Sequence, residues 1–156
     1  VSYVRGVKFK IDTTAMNTHD EFDEIKATID KFFQALDTQD FALMKEIIPE
    51  DDSMIHIGTD GEEIWSGWQE LGPSTREQFA LLESYQADIR ELTIHTNARE
   101  DVAWYFHLLD AKIKSGGRKV KWKGARFTGV LEKRDNRWVI VQTHVSLPES
   151  DHLFSN

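Results

Sequence analysis

The stretch Arg137-Trp138-Val139-Ile140-Val141-Gln142-Thr143-His144-Val145-Ser146 places a histidine near the end of an apolar run. An imidazole with an ordinary pKa near 6.5 can give or take a proton around neutral pH, so His144 is a candidate general acid–base. Strand alternation sets Trp138, Ile140, Gln142, His144 and Ser146 on one face, and Val139, Val141, Thr143 and Val145 on the other. A face that begins aromatic and ends polar suits a pocket with an apolar floor and a wet mouth. Gln142 and Ser146 therefore join His144 as candidate substrate contacts. The β-branched face suits pairing with a second subunit.

Arg126, on the face of Trp122, Thr128 and Val130, is a guanidinium in the centre of an apolar strand. It can hold a carboxylate or phosphate through two parallel hydrogen bonds, or stabilise an enolate. His144 and Arg126 are thus the catalytic candidates. His56, between Ile55 and Ile57, has a pocket role or a structural one. The five tryptophans are each core by default; together they point to a ligand that is partly apolar.

Other chemistries lack their residues. The chain has no cysteine, which removes disulfides and thiolate metal sites. The histidines at 19, 56, 95, 107, 144 and 152 show no metal-ligand spacing on one element, so neither metal nor cofactor is expected. There is no glycine-rich phosphate loop and no nucleophile elbow. A formal charge of −8, from 19 basic and 27 acidic residues, argues against a nucleic-acid backbone as partner. The cluster Arg118, Lys119, Lys121 and Lys123 reads as one solvated face. No apolar run approaches the roughly 20 residues of a membrane span. Arg5, Lys8 and Lys10 interrupt any signal-peptide core, and a cytoplasmic location is the expectation.

The elements that must position these residues follow from periodicity. Thr18 and Glu21 form a capping box ahead of a helix whose apolar stripe is Phe22, Ile25, Ile29, Phe32, Phe33 and Leu36. A shorter helix at about 40–48 buries Phe41, Met44, Ile47 and Ile48, and Pro49 stops it. Met54–Ile57 and the residues around Ile64 and Trp65 read as two short strands about a Thr59-Asp60-Gly61 turn. Ser74 and Glu77 cap a third helix reaching about Tyr85. Strands follow at 89–96, 102–114, 118–134 and 137–147, joined by Gly116-Gly117 and Asp135-Asn136 turns into an antiparallel meander. Gly124 and Gly129 are candidate bulges. This order predicts one α+β domain, with helices on one face of a curved antiparallel sheet and a cavity at its open end. Residues 1–17 read as an extension or, through the alternation of Val7, Phe9 and Ile11, as an edge strand. The domain spans 18–148, and 149–156 is a tail.

Three segments sharpen this. Residues 55–67, including Gly58-Thr59-Asp60-Gly61-Glu62-Glu63-Ile64-Trp65-Ser66-Gly67, resemble a segment of SnoaL-like domains in the nuclear-transport-factor-2-like superfamily. Val102-Ala103-Trp104 with Gly124–Leu131, and Asn136–Ser146, are similar to that family's long strands and closing strand. The resemblance covers about residues 18–148 and implies a cone-shaped fold. It implies that Trp65, Trp68 and Trp104 lie where the cone closes, and that Glu63 or Asp110 can neighbour Arg126. It also implies a range of activities, from polyketide cyclase and ketosteroid isomerase to dehydratase.

The resulting expectation is a homodimer binding a small, partly apolar molecule, with a carboxylate as one handle. Catalysis would be cofactor-independent isomerisation, cyclisation or dehydration, with His144 moving the proton and Arg126 holding the anion. His56, Trp65, Trp68, Trp104, Gln142 and Ser146 would contact substrate. The alternatives are a non-catalytic association or ligand-sensing module, and the small subunit of an oxygenase.

Overall fold

The computed structural model describes residues 10–11 and 18–149. In chain order the elements are β1 (Lys10–Ile11), α1 (Thr18–Thr38), α2 (Phe41–Ile47), β2 (Ile55–Ile57), β3 (Ile64–Ser66), α3 (Trp68–Leu81), β4 (Leu82–Thr96), β5 (Val102–Ser115), β6 (Arg118–Arg134) and β7 (Arg137–Ser146). One seven-stranded sheet runs β1-β4-β5-β6-β7-β2-β3. The four long strands are antiparallel to one another, whereas β1 joins β4 and β2 joins β7 in parallel. Of the amino-terminal alternation, Lys10–Ile11 pairs with Thr93–Ile94; Val7 and Phe9 lie outside the described residues, as does the tail from 150.

The apolar stripe of α1 lies on the sheet, with Ile25 and Ile29 fully buried beside Phe33 and Ala35. The Thr18 side chain of the expected capping box lies outside the described residues. Glu21 reaches across to β6 and β7, pairing with Lys133 and accepting from Trp138 Nε1 at 2.8 Å. Asp40 caps α2 by accepting from Leu43 N at 3.0 Å, satisfying one of the helix's free amides. The Asp135-Asn136 turn takes positive φ at both residues, 48° and 59°, as a two-residue hairpin loop of type I′ geometry needs.

The third helix differs from its sequence reading. It starts at Trp68 behind Gly67, whose φ is 82°, and carries Pro73 inside it. It stops at Leu81, and residues 82–85 already belong to strand β4 instead of helix. The Ser74–Glu77 spacing is therefore internal, and Ser74 Oγ accepts from Gln78 Nε2 at 3.0 Å. Tyr85 still points inward, but as a strand residue.

One bulge in β6 and one in β7 change which faces those two strands present. In β6 the register slips between Leu109↔Ala125 and Ala111↔Trp122, with Gly124 at φ 65° in the slip. Asp110 fills this bulge, accepting from Gly124 N at 2.8 Å and from Arg90 at 3.1 Å and Lys123 at 3.3 Å. In β7 the register slips from Val130↔Gln142 to Leu131↔Ile140, leaving Val141 as the extra residue. Each extra residue reverses the alternation beyond it. Trp138 and Ile140 are buried before the Val141 slip and Thr143 and Val145 after it, while Gln142 and His144 are exposed. The expected single β-branched pairing face therefore does not form: Val145 belongs to the core cluster.

Candidate functional site

Among the described residues a cavity of about 150 Å³ opens between the helices and the concave side of the sheet. Phe32 and Leu36 of α1, Met44 and Ile48 at α2, and Leu71 and Phe79 of α3 supply its apolar wall. The sheet contributes His56, Trp65, Tyr85, Trp122, Phe127, Thr143 and Val145, and Glu63 and the exposed Gln78 also border it. A space near 150 Å³ has room for about one benzene ring, and this one is open at its mouth.

His56 is the main polar feature of this wall. It is 5 % exposed, and Thr143, its register partner across β7, holds its Nδ1 by hydrogen bond. Its ring stacks at 7° to Phe32, with centroids 6.4 Å apart. Nε2 is buried and has no partner among the protein atoms. Burial pushes the imidazole pKa down to about 4, because a charged ring would lose its water, so His56 is neutral at pH 7. Glu63 is the cavity's carboxyl. Burial, reinforced by the Asp60 charge, raises its pKa above the ordinary carboxylate value. Its side chain lies over Gly58, where a Cβ would fall 2.0 Å from Oε2. Gly58 is thus what admits the carboxyl to this position.

Behind Phe127 lies a second histidine. His107 is 0 % exposed and packed among Phe33, Tyr105 and Phe127, with centroids 4.9–6.0 Å away. Its Nδ1 lies 3.1 Å from Leu108 O. A carbonyl only accepts, so Nδ1 carries the proton and Nε2 presents a lone pair. Burial lowers its pKa to about 4, outweighing the opposite effect of the Leu108 bond.

The sequence-derived candidates divide between two sides of the sheet. His56 and Trp65 line the cavity. Trp68 does not line it; it packs on Phe41, with centroids 5.8 Å apart, and over Gly72, where a Cβ would meet its ring at 2.8 Å. Trp104 lies on the outer face, 46 % exposed and stacked near His95. Gln142, His144 and Arg126 are also exposed on that face, and Arg126 Nε donates to Ser146 Oγ at 3.2 Å. Arg126 and His144 lie on strands in register one step apart, Arg126↔Ser146 and Thr128↔His144, so they share a face, but it is the convex one. The expectation that both face the cone is corrected by the bulges at Gly124 and Val141. Asp110 pairs with Arg90 and Lys123, not with Arg126. Trp122, Tyr85, Glu63 and Thr143 line the cavity without having been singled out as its contacts. For Thr143 the available signal was the assumed alternation of β7, which the bulge reverses. Among the described residues, no group of three His, Asp or Glu side chains converges as a metal site, and no helix is long and apolar enough to cross a membrane.

Helices on one face of a strongly bent sheet, closed around a lined cavity, define the α+β cone of the nuclear-transport-factor-2-like class. Solved structures share it. A proposed dehydratase of that class from Streptomyces avermitilis superposes with a TM-score of 0.71 at 18 % identity, over 82 % of this chain and 96 % of its own. A nuclear-transport-factor-2-like protein from Pseudomonas putida KT2440 gives 0.71 at 18 %, over 90 % and 95 %. A proposed calcium/calmodulin-dependent protein kinase II association domain from Xanthomonas campestris gives 0.69 at 21 %, over 90 % and 96 %. At such identities the likeness concerns the fold alone. The family model for the SnoaL-like domain matches residues 25–150, and the chain belongs to that family. No curated protein matches the sequence.

Proposed function

We propose that this SnoaL-like protein binds a small, partly apolar molecule of about one ring in its cone, with His56 meeting the polar atom of that molecule. The observation that carries the reading is the unpartnered, buried Nε2 of His56, a residue of a largely aromatic and aliphatic wall. A buried polar atom left without a hydrogen bond costs about 1–3 kcal/mol, and a ligand that supplies the bond recovers it. The structural relative described as a proposed dehydratase supports a proton-transfer reaction, isomerisation or dehydration, as its use. In that case His56, neutral at pH 7, exchanges the proton and Glu63, with its raised pKa, is the second acid–base group.

The test is a thermal-shift series with phenol, cyclohexanone and benzoate on the wild type, His56→Leu, Trp65→Ala and His144→Ala. A ligand at about 100 times its Kd adds about 2.7 kcal/mol, which raises Tm by roughly 5–10 °C in a domain this size. Loss of the shift in His56→Leu and Trp65→Ala, with His144→Ala unchanged, is the expected result. Loss in His144→Ala alone moves the site to the outer face and overturns the reading.

A second reading concerns assembly, and the outer face favours it. Trp104, Phe106, Thr128, Val130 and Gln142 border a depression of about 330 Å³ there, with Trp104 nearly half exposed. We infer that a second copy of the chain covers this face, giving a homodimer in which the two cones open away from the contact.

A further inference from the structure

Among the described residues lining the cavity, Glu63 is the only one with a charged side chain at pH 7; no lysine or arginine borders it. The other titratable groups of the wall, His56 and Tyr85, are neutral there, because burial lowers the first pKa and raises the second. The rings of Phe32, Trp65, Phe79, Trp122 and Phe127 make up much of the remainder.

The Glu63 carboxyl is placed by the loop between β2 and β3 and not by an ion pair. Ile57 and Ile64 are register partners at the end of this hairpin. Gly58 N donates to Glu63 O at 2.8 Å and Glu63 N donates to Asp60 O at 3.1 Å, so both backbone groups of Glu63 are tied down. The half-buried side chain then folds over Gly58, in space that a Cβ would take. Among the described residues no ion pair involves it. Burial, and then the Asp60 charge, disfavour its ionised form, and only a backbone hydrogen bond from Asp60 acts the other way. A partly desolvated carboxylate without a counter-ion is stabilised by a cation that reaches it. Electron-rich ring faces attract cations as well. An anion would meet the Glu63 charge with nothing to offset it, in a chain whose formal charge is already −8.

We propose that the cone selects a cationic single-ring compound, an aryl or cycloalkyl amine, whose ammonium pairs with the Glu63 carboxylate while its ring packs among the aromatic side chains. This rests on the cavity reading above and names its ligand class. An ammonium takes the place of the carboxylate handle expected from the sequence, since Arg126, the residue expected to hold a carboxylate, is exposed on the convex face. A cation beside Glu63 keeps it ionised, so Glu63 anchors the ligand and proton exchange falls to His56.

Calorimetric titration of the whole chain at pH 7 with benzylamine, benzyl alcohol and benzoate tests it, because the three share a ring and differ in charge. The wild type should bind benzylamine about ten-fold more tightly than benzyl alcohol, and benzoate most weakly. In Glu63→Gln, which keeps the size of the side chain, the preference for benzylamine should shrink to about two-fold or less, with benzyl alcohol affinity unchanged as the sign of an intact cavity. In the wild type, ¹³C NMR should show the Glu63 carboxyl pKa falling on addition of benzylamine and not on addition of benzyl alcohol. Benzyl alcohol binding as tightly as benzylamine overturns the proposal and leaves the cavity reading standing. Tightest binding of benzoate overturns it too, as does a benzylamine preference that survives in Glu63→Gln, which would assign the cation to another group. If none of the three binds, the cavity reading fails and the proposal falls with it.

Discussion

Acid should unfold this domain through two histidines, and His107 allows the effect to be isolated. His107 and His56 each have a pKa of 6.5 in an ordinary setting and about 4 when folded, chiefly because burial disfavours the charged ring. Between those values the unfolded chain binds a proton that the folded chain does not. Stability is therefore complete above about pH 6.5, falls as pH drops, and stops falling from this source near pH 4. At about 1.4 kcal/mol per pH unit, each histidine removes on the order of 3 kcal/mol across that window. Two of them approach the whole stability of an ordinary domain, about 5–15 kcal/mol. Carboxylates held below their usual range, such as Glu21 through Lys133 and Asp110 through Gly124, act in the same direction at lower pH. Glu63, held above its usual range by burial, acts in the opposite direction. These contributions cancel when wild type is compared with His107→Leu, which removes one histidine and fills similar volume. The assay is urea unfolding at half-unit steps from pH 7.5 to 4.5. The variant should lose stability with a slope shallower by up to about 1.4 kcal/mol per pH unit between pH 6 and 4.5. Equal slopes, or an NMR titration placing the folded His107 near 6.5, would refute the account of its burial.

Two further outcomes follow from single contacts. Gly129→Ala should cost about 1–3 kcal/mol in urea unfolding, because the new Cβ overlaps the Tyr105 ring; Tyr105→Leu in the same chain should recover part of that loss, and strictly additive effects would show that the two do not meet. Trp104→Glu should convert a dimer to a monomer in sedimentation without lowering cyclohexanone binding, since Trp104 is on the outer face; a monomeric wild type, or a variant that still pairs, removes the outer face as the contact.

The architecture was legible because its signals are local. The three- and four-residue spacing of Ile25, Ile29, Phe33 and Leu36, the Asp135-Asn136 turn and the Gly116-Gly117 turn each specify an element without reference to distant residues. The third helix was misplaced because Pro73 and the Ser74–Glu77 spacing imitate a start, whereas Gly67 and the close fit of Gly72 under Trp68 let the helix begin earlier. The site was less legible for a different reason. Which side of a strand a residue faces depends on every residue between it and the reference, so one insertion reverses all that follows. At Gly124 the insertion carries a visible sign, a glycine at positive φ. At Val141 it carries none, since valine is the residue any regular strand would favour. His144 and Arg126 were assigned to the cone by an alternation that these two slips break. His56 escaped the error because its strand is only three residues long and its partner across the sheet is fixed by register at Thr143. The same slip that exposes His144 turns Thr143 inward against His56. The bulge in β7 therefore puts this strand's hydroxyl, not its imidazole, on the cavity side.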